Sequence, residues 1–267
     1  MTLAVCATPI GNLEDVTLRV LRELAEADLV LCEDTRRTRI LLNRHGISAP
    51  LLSYHEHNEA RRAEEVLPRL VAGERVALVS DAGLPGVSDP GARLIAAALE
   101  AGVPVTVLPG ASAVETALVA SGFVTDRYQF LGYLPRGEKA LAAVWAELAR
   151  WPWAAVAFES PQRLQATLRS LAAALPERPV AVCRELTKQF EEVVRGRSAE
   201  IAGRFAGAVK GEITLVLGAA PVAAADEEGA SAAVAELVAA GMPRRAVADV
   251  VARLTGVSRN ALYRRSL

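Results

Sequence analysis

Short apolar runs rich in Val, Ile and Leu alternate with stretches of helical period from residue 3 to residue 217, and this alternation narrows the possible folds more than any other feature. LAVCAT (3–8), DLVLC (28–32), LLSY (51–54), RVALVS (75–80) and VPVTVLP (103–109) have the length and composition of buried strands. Between them, VTLRVLRELAEA (16–27) and NEARRAEEVLPRLVAG (58–73) repeat apolar residues with a period near 3.6. A second series follows in YQFLGY (128–133), WAAVAF (153–158), PVAVCREL (179–186), VVRG (193–196) and EITLVL (212–217), with helical segments near 138–149, 161–174 and 198–208. The predicted class is α/β. A chain of 267 residues is long for one core, and the changeover near SGFVTDR (121–127) divides it into domains 1–122 and 123–218. GAAPVAAADEEGASAA, after Leu217, is small and polar and reads as a linker over 219–235, leading to a helical tail over 236–267.

Three of the strand-to-helix junctions are loops rich in Gly and Pro. SDAGLPGVSDPG (80–91) follows RVALVS and precedes the helical GARLIAAALEAG, which puts it at the carboxyl end of a strand, where α/β sheets bind ligands. Gly83, Gly86 and Gly91 do not have the spacing of a dinucleotide fingerprint, and GVSDPGAR lacks the Lys and Ser/Thr of a phosphate loop. Asp81 and Asp89 would repel a phosphate, so the loop suits a neutral or cationic ligand, unless it is only a pair of proline-stabilised turns. VTVLPGASAVETALVASG (105–122) repeats the arrangement. Its GASAV lacks the last glycine of a nucleophile elbow, which leaves Ser112 as a helix cap or a ligand contact. AVCATPIGNLEDVTLRVL (4–21) is the third such loop.

Together with FESPQRL (158–164) and ELTK (185–188), the motifs TPIGNLED, CEDTRRT, SDAGLPGVSDPG and LPGASA resemble the tetrapyrrole methylase superfamily of methyltransferases. Within it they resemble the branch that 2'-O-methylates a cytidine of 16S ribosomal RNA, and RRAVADVVARLTGVSRNALYR resembles that branch's helical tail. The resemblance implies two α/β domains of the tetrapyrrole methylase (class III methyltransferase) type, with S-adenosylmethionine folded into the cleft between them. It implies cofactor contacts at Pro9, Asp81, Ala82, Gly83, Leu84, Val87, Ser88, Ser112, Ala113 and Leu134. It also implies a homodimer acting on 16S rRNA or the small ribosomal subunit. Three departures stand out: Leu84 where the family has Thr, Gln162 where it has His, and PRGEKA (135–140), which is short of basic residues.

A sulfonium ion, an amino-acid end and an adenine can be satisfied by backbone groups where glycines remove side chains. Methyl transfer is an in-line displacement that depends on positioning and needs no metal. The acceptor hydroxyl must lose a proton, and the candidates near it are Glu33 and Asp34 in CEDTRRT, His55 in YHEHNE, and the cluster Arg184, Glu185 and Lys188. Glu33 and Asp34 also read as an acidic pair bridged to Arg36 and Arg37. Lys188 serves as a base only where burial or Arg184 lowers its pKa, and otherwise contacts phosphate or is simply exposed. HEH (55–57) places two imidazoles on one side of a strand, without a nearby acidic or thiol partner for a metal.

Lys plus Arg (30) nearly cancels Asp plus Glu (31), which argues against nonspecific nucleic-acid binding by the body. Residues 242–267 differ, with six arginines against the single acid Asp249. AVADVVARLTGVSRNALYRR reads as helix, a TGVS turn with Gly256 as C-cap and Ser258 as N-cap, then a second helix. Arg259 and Arg264 there, with Arg36, Arg37 and Arg184, are the expected RNA contacts. Two helices without a third make an incomplete DNA reader, which favours RNA over a ligand-sensing DNA-binding regulator. A porphyrin-like substrate has no use for a basic tail. Cys6, Cys32 and Cys183 have no paired spacing and read as buried thiols. No membrane-span or leader pattern is present, so a cytoplasmic location is expected.

Overall fold

A computed structural model describes residues 2–207, 209–220 and 227–265. The chain forms two compact units, Met1–Ala220 and Pro221–Leu267.

The first unit begins with strands β1 (Leu3–Cys6), β2 (Leu29–Cys32), β3 (Leu51–Ser53), β4 (Val76–Leu78) and β5 (Val105–Leu108), joined through helices α1 (Leu18–Glu26), α2 (Thr35–Arg44), α3 (Glu59–Val71) and α4 (Ala92–Glu100). They form a parallel sheet in the order β3-β2-β4-β1-β5. Strand alternation sorts the side chains: Leu3, Val5, Leu29 and Leu31 join the core on one face, and Ala4, Cys6, Val30 and Cys32 join that on the other. Both faces being covered, β1 and β2 read as continuous apolar runs. Helix starts follow from short polar caps. The Thr17 hydroxyl accepts from the Val20 N–H at 3.2 Å, and the Asp34 carboxylate accepts from the Arg36 N–H at 2.8 Å. Helix α2 lies in a stretch for which the sequence reading named no helix.

Helix α5 (Ala113–Ser121) leads to a second sheet of β6 (Tyr128–Tyr133), β7 (Ala154–Glu159), β8 (Pro179–Arg184), β9 (Glu192–Arg197) and β10 (Ile213–Leu217), ordered β6-β7-β10-β8-β9. Only β6 and β7 run parallel there, and the remaining pairs are antiparallel. Helices α6 (Glu138–Arg150), α7 (Leu164–Ala174) and α8 (Ser198–Arg204) cover one face with Trp145, Leu148, Leu168 and Ile201. The other face is covered by α5, through Val114, Ala117 and Leu118 against Ala154, Val156 and Ala181. By packing, therefore, α5 goes with the second sheet, although the sequence changeover suggests a division after residue 122. The three cysteines are free and buried, and burial pushes the Cys6 and Cys183 thiols up to about 12.

The second unit holds helices α9 (Glu227–Ala239), α10 (Arg244–Thr255) and α11 (Arg259–Arg265) around Val234, Val247, Val251 and Leu262. Gly256 ends α10 in the left-handed conformation (φ 72°), as the TGVS turn predicts. Helix α9 occupies much of the stretch expected as a linker over 219–235. Its alanines, read there as lack of a core, favour helix strongly, while residues 221–226 lie outside the described residues. Among the described residues the unit thus has three helices, which removes the incomplete-core argument against DNA. Among the described residues, no helix is long and apolar enough to cross a membrane.

Candidate active site

The three glycine loops leave β1, β4 and β5, and these strands are neighbours in the order β4-β1-β5. Their loops therefore emerge side by side at the carboxyl edge of the sheet. Thr8 ties two of them together: its N–H donates to the Gly83 carbonyl at 2.8 Å and its hydroxyl to the Ser80 carbonyl at 3.0 Å. The third loop packs as closely, since a Cβ on Gly110 would lie 2.9 Å from that of Ala7. Gly83 and Gly86 have positive φ, and so does Ser88 at 63°, a conformation that side chains disfavour.

A cavity of about 750 Å³ lies where these loops face the second sheet. Asp81, Ala82, Gly83, Leu84, Val87, Ser88, Ser112 and Ala113 all line it. Two expected contacts do not. Pro9 lines a smaller neighbouring cavity, and Leu134 is buried in the core of the second sheet, its N–H donating to the Phe158 carbonyl at 3.1 Å. Ser112 begins α5, but its hydroxyl bonds the Glu115 carboxylate and no backbone N–H, so it is not a side-chain cap. Leu84 packs against the core of the first sheet, where the family's Thr would place a hydroxyl. Gln162 accepts from the Ser160 hydroxyl at 2.8 Å.

The cavity is electronegative. Glu33, Asp81, Asp89, Glu115, Glu159 and Glu212 line it, against one cation, Arg37. Burial, then the charge of Glu33, raises Asp89 to about 6. Burial, then the charge of Asp81, also raises Glu33. Asp34 goes the other way, to about 2, because its carboxylate accepts side-chain and backbone bonds from Arg36. Asp34 is thus the cap and ion-pair partner, while Glu33 faces the cavity. Arg37 pairs with Asp81 at 3.2 Å.

The ELTK loop closes on the TPIGN loop. A Cβ on Gly11 would lie 2.5 Å from Lys188 Cγ and 2.8 Å from the Leu186 carbonyl oxygen, so only glycine fits. Glu185 and Thr187 have φ of 52° and 66°, and Thr187 is held by the Asn12 N–H, which donates to its hydroxyl at 3.0 Å. The Lys188 ammonium donates to Glu185 at 2.8 Å and Glu212 at 3.0 Å. Although burial opposes it, those two carboxylates raise the Lys188 pKa, the opposite of what a base needs. Glu185 is lowered by Lys188 and by the Glu212 N–H. Arg184 pairs with Glu192 at 3.0 Å. His55 and His57 follow the end of β3 rather than lying on a strand, with rings 6.0 Å apart and edge to face. Among the described residues, no group of three or more His, Cys, Asp or Glu is placed to hold a metal ion.

Glu212, Glu159 and Arg163 escape the sequence reading. Glu159 is fully buried, and Arg163 bonds it at 3.1 Å while donating to the carbonyls of Leu134 and Pro135. Glu159 ends β7 and Arg163 precedes α7, so no helical spacing marked the pair. Glu212 had no signal either, because it stands alone before a strand and meets Lys188 only through the fold.

The family model for Tetrapyrrole (Corrin/Porphyrin) Methylases matches residues 2–202. The chain belongs to this family. Among its relatives, the protein of Micromonospora olivasterospora named ribosomal RNA small subunit methyltransferase I is 45% identical over 266 residues, covering 98% of this chain and 85% of that one. The protein of the same name from Thermotoga maritima is 45% identical over 216 residues, 80% of this chain and 97% of its own. This family member also shares its fold with the uroporphyrin-III C-methyl transferase of Thermus thermophilus, solved with S-adenyl homocysteine. The TM-score is 0.58 at 21% identity, covering 82% of this chain and 97% of that one. In this chain the cavity combines carboxylates suited to a cation, Ile10, Phe130 and Phe158 as apolar walls, and a volume within the ~300–1,000 Å³ of small-molecule sites.

Proposed function

We propose that this chain is an S-adenosylmethionine-dependent methyltransferase of small-subunit ribosomal RNA, and that it methylates the ribose 2'-hydroxyl of a cytidine. The observation that carries the cofactor is the acid-lined cavity at the convergence of the three glycine loops. Six carboxylates against one guanidinium favour a sulfonium cation and repel a phosphate-rich ligand. The RNA substrate is supported by relatives of that name matched over nearly the whole chain. With the third tail helix present, the choice of RNA over DNA rests on these relatives and no longer on an incomplete helix-turn-helix.

When bound, the cofactor supplies an electrophilic methyl group. The backbone of the Asp81–Ser88 segment and the start of α5 hold it, and the carboxylates facing the cavity stabilise its positive charge. Glu33 accepts the proton of the ribose hydroxyl, since burial raises its basicity above that of Glu185. Lys188 stays a cation and holds the acceptor strand, with Glu185 fixing its position. Arg36, Arg37 and Arg184 contact the RNA backbone there, and Arg259 and Arg264 do so from the helical unit. Exposed Val107 on edge strand β5 and Tyr128 on edge strand β6 support a homodimer, and a ribosomal RNA substrate supports a cytoplasmic location. Labelled methyl transfer to undermethylated small subunits, followed by nucleoside mass spectrometry, tests the reading. 2'-O-methylcytidine is the expected product, and label on another acceptor instead would overturn it.

A further inference from the structure

A second cavity, of about 220 Å³, lies beside the larger one, and we propose that it is the compartment for the base of the target nucleoside of the RNA, whose ribose lies toward the larger cavity and Glu33. This rests on the reading of the chain as an rRNA methyltransferase. Ile10, Arg37, Asp81, Ala82 and Glu212 line both cavities, so the two adjoin along these side chains. Transfer of a group between two bound molecules requires such adjacency.

Size and chemistry select the occupant. At ~30 Å³ per water, the compartment has room for roughly seven waters, the space of one six-membered ring with its substituents. Pro9, Ile10, Ile40 and Leu41 give it apolar walls suited to the face of a base. Ile40 is 59% exposed on α2, a large apolar side chain that a stacked base would cover. Arg37 and Lys188 supply cations for the flanking phosphates, while Asp81 and Glu212 supply acceptors for an exocyclic amino group such as that of cytosine. A nucleotide enters such a pocket by leaving its stack.

Ile40→Trp fills the compartment without changing charge, and Leu99→Trp on α4, also at a residue 59% exposed, is the matched control. Cofactor affinity is read by calorimetry with S-adenosylmethionine, and KM and kcat by methyl transfer to undermethylated small subunits across a range of salt. Ile40→Trp is expected to lower kcat/KM for subunits by at least about tenfold. Its cofactor affinity and salt dependence should stay parental, and Leu99→Trp should match the parent throughout. Parental kcat/KM in Ile40→Trp would overturn the compartment and leave the RNA reading standing. Absence of transfer by the parent chain would overturn the RNA reading itself.

Discussion

Asp89 sits half-buried beside Glu33 and Asp81, and its carboxyl is raised from the ordinary 3.8 to about 6 by burial first and by Glu33 next. A raised carboxylate favours the folded state fully only below the ordinary range, and that advantage is lost as pH rises through about 6. Asp89→Asn should therefore match the parent in stability below pH ~4 and exceed it above pH ~6 by about 1 kcal/mol after solvent screening, roughly 2–4 °C in Tm. Thermal melts across that range check this, and a constant difference at all pH values would refute it. In the parent, affinity for S-adenosylmethionine should strengthen between pH 5.5 and 7.5, while affinity for the uncharged thioether product stays flat. Glu33→Gln should reduce kcat by about 10²–10⁴, a far larger effect than the modest weakening of cofactor affinity from one lost carboxylate, as expected for loss of a proton acceptor. Single-turnover kinetics distinguishes this from lost binding.

At the level of elements, the ELTK and TPIGN loops are locked by the absence of a side chain at Gly11. Gly11→Ala drives a methyl into the Leu186 carbonyl, which cannot swing away as a side-chain tip can. It should cost about 1–3 kcal/mol and displace Lys188, lowering transfer more than cofactor binding. Calorimetry paired with kinetics separates the two effects. A different kind of lock joins α6 to the second sheet. Buried Arg178 donates to the carbonyls of Leu148, Trp151 and Trp153 at 2.9, 3.2 and 3.0 Å, and burial lowers its pKa to about 10. Arg178→Met removes the guanidinium donor from those carbonyls, Leu148 keeping only the Trp151 N–H, and should destabilise by about 1–3 kcal/mol in urea unfolding, with no change in cofactor affinity at the temperature of assay. TPIGN and ELTK were visible in the sequence as motifs, but their mutual contact was not, because Gly11 and Lys188 are distant along the chain.

For the whole molecule, the neutral average charge hides an acid-lined cavity in the first unit and an arginine-rich stretch, residues 242–267, in the second. Arg253 and Arg264 are exposed in that second unit, whereas Arg259 pairs with Asp249 and Arg265 with Glu227. Replacing both Arg253 and Arg264 with Glu should weaken subunit binding at low salt and reduce the salt slope by about two, with cofactor binding unchanged. Filter binding over a salt series measures it, and an unaltered slope would remove the helical unit from the RNA interface.

Periodicity and turn chemistry are local, and they determined the α/β class, the strand positions, the three glycine loops and the TGVS break between α10 and α11. The convergence of the three loops was legible because loops after strands of one sheet share an edge, while Asp81 through Ser88, Ser112 and Ala113 were named by the family resemblance. Neighbour relations are not local. Only the tertiary structure decided that β1 lies between β4 and β5, that α5 covers the second sheet, and that α9 completes the helical unit. The roles of the charged residues depended on the same contacts. Burial raised Glu33 and Asp89, while Glu212, distant in the chain, joined Glu185 to hold Lys188 as a cation, because a pKa is set by what surrounds a group in space.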